Sequence, residues 1–213
     1  SADANADATE VEQGWIAERV LTPRFLIFLA GVVLSGIVFF QHEGAMPLFL
    51  IQKLHLSPAF YGFLFTINTL MIVAFAVPLN LATAHWKNRD TMFVASMLFA
   101  CGFGALVFVT TAAGVIATVM VWTFGEMLLF PSMSAHMGDV APPERRGAYM
   151  GAYSMALSTA FAFGPWFGTV LFSRYGASVV WIVMFFVGTL AAGLLSVATP
   201  RGRAIPFAAG GGS

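Results

Sequence analysis

The side chains best placed to do chemistry are acids that stand where acids are scarce. Glu126 sits inside the apolar run VIATVMVWTFGEMLLFPSM, eleven residues from either end of a hydrophobic stretch over 115–137. An ionised carboxylate at the centre of a bilayer costs at least about 2.5–3.5 kcal/mol on insertion scales. Glu126 must therefore be protonated much of the time, face water, or meet a cation from another chain. A carboxyl whose charge follows its hydration suits proton coupling, because opening a cavity to one side changes its proton affinity. The plainer reading is a protonated acid that bonds a neighbouring helix.

The second acid in an apolar run, Glu43, follows Gln41 and His42 directly. At 100° per residue, Gln41 and Glu43 point to nearly opposite sides of a regular helix. The three can line one cavity only if Gly44 and Pro47 unwind or kink the chain, a device that recurs where membrane helices build binding sites. Otherwise His42 and Glu43 sit at headgroup level. Asn68 is polar and mid-way along its own apolar run; it faces a cavity or bonds the next helix. Helical spacing puts Trp122, Glu126, Phe130 and Met133 on one face. Aromatic and Met side chains around one acid would suit a lipophilic or cationic ligand, and the same stripe also serves plain helix packing.

Other chemistries find no residues to use. Cys101 is the one cysteine, which excludes a disulfide framework and a multi-cysteine metal site, and the four histidines are scattered. There is no G-x-S-x-G, no HExxH and no phosphate-cradling G-x-x-x-x-G-K-[ST] run. An Arg-rich sensor helix and a TVGYG-type filter are also missing. No catalytic group, metal or cofactor is expected. Ten acids balance ten bases, giving no footprint for nucleic acid.

The elements that must carry these residues are set by composition. Of 213 residues, 59% are apolar and 9% charged, where a soluble domain carries about 25% charged. Six stretches, about 24–50, 58–82, 91–111, 115–137, 147–172 and 179–199, reach the length a spanning helix needs. Arg19, Arg24, Lys87, Arg89, Arg145, Arg146, Arg201 and Arg203 fall on one side of a six-span topology, and Lys53 and Arg174 on the other. That bias places both termini in the cytoplasm. Short loops make neighbouring helices antiparallel, and strand-like alternation is absent. The expectation is an all-α integral membrane bundle over residues 23–200. Residues 1–22 form a polar, acidic linker with a short interfacial helix near 11–21, and 201–213 form a cytoplasmic tail whose GGGS end looks like an engineered linker.

Small residues mark expected close packing in the fifth stretch: Gly147 and Gly151, then Gly164-Pro165-Trp166-Phe167-Gly168. Such spacing lets backbones approach, and Pro165 removes a donor and bends the helix.

The run GEMLLFPSMSAHMGDVAPPERRGAYMGAY, residues 125–153, resembles helix ten, its cytoplasmic loop and the start of helix eleven in major facilitator superfamily carriers. It is similar, more narrowly, to the drug:proton antiporter branch found in bacterial multidrug efflux. Gly164-Pro165 with Gly168 is like the GPxxG pattern of helix eleven there, and FFQHEGAMPLFL looks like the end of helix seven. The second cytoplasmic turn, PLNLATAHWKNRD, departs from the family's gating loop by lacking its glycines and Asp.

The resemblance implies the C-terminal half of a twelve-helix transporter in the bacterial inner membrane, built from two three-helix repeats and rocking against an N-terminal six-helix half. That half would lie on a separate chain or in a missing segment. It further implies that the first and fourth spans line a cavity and that Asp139 with Arg145 or Arg146 forms part of a cytoplasmic gate. The expected partners are lipid, a small-molecule substrate and the proton. A symporter or uniporter, and a non-transporting membrane subunit, are the competing expectations.

Overall fold

The computed structural model describes residues 22–199. Six helices long and apolar enough to cross a membrane run Pro23–Lys53, Pro58–Thr83, Asn88–Phe108, Ala112–Val140, Pro143–Tyr175 and Ala177–Ala198. They are called the first to sixth spans below. No β-sheet forms among the described residues. The expected interfacial helix near 11–21 and the tail beyond 200 lie outside the described residues.

Helix starts follow local chemistry. Thr22 and Ser57 accept from the backbone N–H of Phe25 and Phe60, with Pro23 and Pro58 in the first helical turn, where a missing N–H costs nothing. Thr111 does the same for Gly114 at the head of the fourth span. The third span begins at Asn88, earlier than the expected 91. Asn88, Arg89 and Asp90, whose polarity suggests a loop, instead make its first turn, where Asp90 complements the helix dipole. Gly176, at φ +83°, turns the fifth span directly into the sixth, a conformation that favours glycine.

The first span is broken where Gly44 and Pro47 make that possible. Its α-helix ends at Phe39 and tightens to a 3₁₀ turn over Phe40–His42. It restarts over Ala45–Leu48 and closes with a π-helical turn over Phe49–Lys53. At the break the first span lies close against the backbone of the fifth: a Cβ on Gly44 would lie 2.6 Å from Pro165 Cα.

Packing is uneven. The third span lies between the fourth and the sixth, and the first packs on the fifth and sixth. Phe28, Val32, Phe99, Phe103, Leu129 and Trp181 fill the shared interior. Gly102 and Gly188 admit Trp122 and Ala100, each of which would lie within 3 Å of an added Cβ. The second span, by contrast, packs chiefly on the fourth and leaves Phe63, Leu70, Val73 and Val77 on the outside. The fifth span likewise exposes Met155, Phe161, Phe163 and Trp166.

The small residues of the fifth span do not all meet a neighbour. Nothing lies within 4 Å of a Cβ built on Gly147 or Gly151, so they serve no close approach among the described residues. Tyr149 and Tyr153, two residues along and so on nearly the opposite face, turn inward instead. Glycine spacing alone does not say which face of a helix is buried.

Candidate functional site

The fourth span brings Glu126 against the second span. Asn68 Nδ2 donates to Glu126 Oε2 at 2.8 Å and to Thr123 Oγ1 at 3.0 Å. Thr123 and Glu126 are three residues apart and therefore neighbours on one helix face. The Thr123 hydroxyl donates back to Val119 O at 2.7 Å, which leaves its oxygen free to accept from Asn68. Both amide hydrogens of Asn68 are thus committed to the fourth span. Glu126 itself is half-buried.

A second group comes from the break in the first span. His42 is buried, and its Nδ1 lies 2.7 Å from Phe39 O. A carbonyl can only accept, so Nδ1 carries the hydrogen and Nε2 is the basic atom of the neutral ring. Nε2 faces Glu43 Oε1 at 3.6 Å, and the Glu43 side chain is 43% exposed. Tyr61 of the second span donates to His42 O at 2.9 Å, binding the 3₁₀ turn from outside. Between the two groups lies a narrow cleft of about 10 Å³, room for about one water, lined by residues including His42, Met46, Tyr61, Phe65, Asn68 and Trp122. The His42 and Trp122 rings stack at 5.9 Å, and Trp122 stacks on Phe103 at 5.6 Å. Among the described residues, the buried Trp122 indole N–H meets no acceptor. A cleft with aromatic walls and two nearby carboxyl groups can pass protons, and at this size it admits little more than a water.

The residues singled out from sequence separate into different environments. His42, Asn68 and Trp122 line the cleft. Gln41 does not. It is fully buried on the other side of the broken turn, where Nε2 donates to Gly164 O at 2.8 Å and Ile37 O at 2.9 Å. A Cβ on Gly168 would overlap the Gln41 amide, so Gly164 and Gly168, one helical turn apart, form a notch that holds Gln41. The notch gives the Gly-Pro-x-x-Gly run a packing role, with Pro165 at the crossing with Gly44.

Phe130 and Met133 are also turned into the bundle. Phe130 meets Phe39 at 5.1 Å and Phe99 at 6.2 Å, and Met133 is fully buried. The helical stripe runs from cleft to core because the third span covers its lower half. Asp139 and Arg146 are exposed and Arg145 half-buried. No ion pair joins Asp139 to either arginine among the described residues.

Tyr61 and Thr123 join the cluster without having been singled out by sequence. Thr123 had a usable signal, three residues before a lone acid on the same face. Tyr61 reaches the turn only through the relative placement of two spans, which no local pattern encodes.

A six-span helical bundle with a broken first span and polar groups gathered between its second and fourth spans is the architecture of one half of a rocking membrane carrier. The Major Facilitator Superfamily model matches residues 25–210, and the chain belongs to that family of transporters, which are not enzymes. It is 25% identical over 174 residues to the uncharacterised MFS-type transporter YttB of Bacillus subtilis (strain 168), covering 80% of this chain and 44% of that protein. It is 22% identical over 155 residues to the uncharacterised MFS-type transporter YqjV of the same organism, covering 72% and 38%. A third relative, the uncharacterised MFS-type transporter MJ1560 of Methanocaldococcus jannaschii, is 28% identical over 102 residues, 47% of this chain and 26% of that protein. The chain spans less than half the length of the curated relatives it matches.

Proposed function

We propose that this chain is the C-terminal half of a proton-coupled secondary transporter that exports small amphipathic compounds by alternating access. The observation that carries the reading is Glu126, an acid in mid-span held by Asn68 between the second and fourth spans. His42 and Glu43 stand on the far side of the same cleft as a second proton-accepting pair. An amide donating to a carboxylate is a charge-assisted bond and weakens when the acid is neutralised. Proton uptake therefore loosens the tie between two spans, and substrate and proton would compete in the wider cavity that a second half completes.

The other wall of the cavity belongs to an N-terminal six-helix half. The outward faces of the second and fifth spans, with Gly147 and Gly151 on the latter, are the surface that half would cover, and Asp139, Arg145 and Arg146 would complete a gate with it. The protein acts in the bacterial inner membrane with both termini cytoplasmic, as the eight-to-two distribution of basic residues favours.

The test is the full-length protein in proteoliposomes with an imposed pH gradient and a fluorescent amphipathic probe. Glu126→Gln keeps the Asn68 bond but not the charge, and it should abolish gradient-driven movement while the protein inserts normally. Unchanged transport in E126Q rejects Glu126 as the coupling group. Alkalinisation of the compartment that loses probe, rather than its acidification, rejects antiport in favour of symport.

A further inference from the structure

The fourth span contains Pro131, five residues beyond Glu126, in the middle of an unbroken helix over Ala112–Val140. Proline has no N–H, so the carbonyl four residues earlier, Met127 O, loses its helical partner, and the ring pushes that carbonyl outward. In a membrane interior such an acceptor has no water to turn to. Asn80 of the second span supplies what is missing. Its Nδ2 donates to Met127 O at 3.1 Å, and to Ala76 O of its own helix at 2.7 Å. The second bond, one turn back, fixes the rotamer that aims the amide at the fourth span.

The other interior prolines, Pro78 and Pro165, free Ala74 O and Phe161 O by the same reasoning. Among the described residues, no side-chain donor from another span reaches either. The arrangement at Pro131 is therefore specific to the helix that carries Glu126. Beside it lies a cleft of about 200 Å³ lined by Thr83, Thr91 and Ser132 together with Asn80 and Pro131. That cleft keeps the second span off the third beside the fourth.

We propose that Asn80 is a positioning residue that clamps the carbonyl freed by Pro131 and so sets the orientation of Glu126, one residue before Met127. Asn68 and Asn80 then grip the fourth span on both sides of the acid, one at Thr123 and Glu126, the other at Met127. Movement of the second span is delivered to the Glu126 carboxyl through the backbone rather than through the side chain alone. The clamp itself is a statement about two helices; its effect on proton coupling rests on the reading of Glu126 given above.

A cycle built on Asn80→Leu and Pro131→Ala tests the clamp in the purified full-length protein in lipid nanodiscs. Alanine at 131 restores the N–H, so Met127 O regains its helical partner and no longer needs Asn80. N80L alone should lower the thermal midpoint by several degrees, and in the P131A background by less than a third of that. Equal losses in both backgrounds overturn the clamp. If N80L fails to insert, insertion of the N80L/P131A pair supports the clamp and failure of both overturns it.

The positioning role is read from the infrared carboxyl band that E126Q lacks. N80L should displace the pH midpoint of that band by at least half a unit, and P131A should restore it within the pair. Asn80→Gln, which keeps a donor, should shift it less than N80L. A midpoint unmoved by N80L overturns positioning while leaving the thermal cycle to judge the clamp. E126Q that transports normally would reject the coupling role with the thermal cycle still intact.

Discussion

Replacing Gly44 by alanine should destabilise the bundle at the crossing of its first and fifth spans. The added Cβ would stand 2.6 Å from Pro165 Cα and 2.8 Å from Pro165 O. That is roughly 1 Å short of the separation at which two carbon atoms attract. The obstruction is backbone held by a proline, so no side chain can swing away, and the two helices must part. Overpacking of this kind costs about 1–3 kcal/mol. Gly44 lies at the break between helical segments, with φ −95° and ψ −89°, so alanine gains little helix propensity in return. Gly193→Ala is the matched control: the residue is inside the sixth span with nothing within 4 Å of its Cβ position. There the substitution should add about 0.5–1 kcal/mol from reduced chain entropy. Thermal unfolding of the purified full-length protein should show G44A melting lower by about 2–10 °C and G193A unchanged or slightly higher. Equal midpoints for the two variants would refute the close approach, and with it the reading of Gly44 as the contact that shapes the broken first span.

Other outcomes follow from the same geometry. Gln41→Leu removes the donor to Gly164 O from the glycine notch and should cost about 0.6–1.5 kcal/mol, read as a lower melting midpoint with transport retained; loss of transport at unchanged stability would return Gln41 to the substrate path. Tyr61→Phe deletes one hydroxyl that holds the His42 carbonyl at 2.9 Å and should alter the rate of probe movement more than stability, because the cleft keeps its shape while the turn is freed. Cys101, exposed on the third span, should resist a charged thiol reagent in intact membranes and react after detergent unfolding, since a charged reagent does not enter the hydrocarbon; rapid labelling in membranes would remove that face from the lipid. Thr123→Val should weaken the Asn68 tie by about 0.6 kcal/mol, less than Asn68→Leu, which loses both bonds, in a direct comparison of melting midpoints.

The sequence by itself determined the number, type and approximate bounds of the spans. Each is long enough to bridge a bilayer and too apolar to do anything else, and caps such as Thr22, Ser57 and Thr111 act within one turn. It also singled out Glu126, because the cost of a carboxylate in hydrocarbon depends on depth along one helix and on nothing beyond it. Even the break in the first span was legible, since Gly44 and Pro47 weaken a helix wherever it is placed.

Which face each helix turns inward was decided by the tertiary structure alone. Gln41 and His42 are adjacent, yet one fills a notch between Gly164 and Gly168 and the other lines the cleft. Gly147 and Gly151 have the spacing of packing glycines and face open space. Phe130 and Met133 continue the stripe that begins at Trp122 and pass under the third span into the core. In a membrane protein both the lipid face and the interior are apolar, so hydrophobic periodicity does not separate them. The pairing of Asn80 with the carbonyl that Pro131 releases depends on two helices meeting at one height, a fact of packing that neither helix contains.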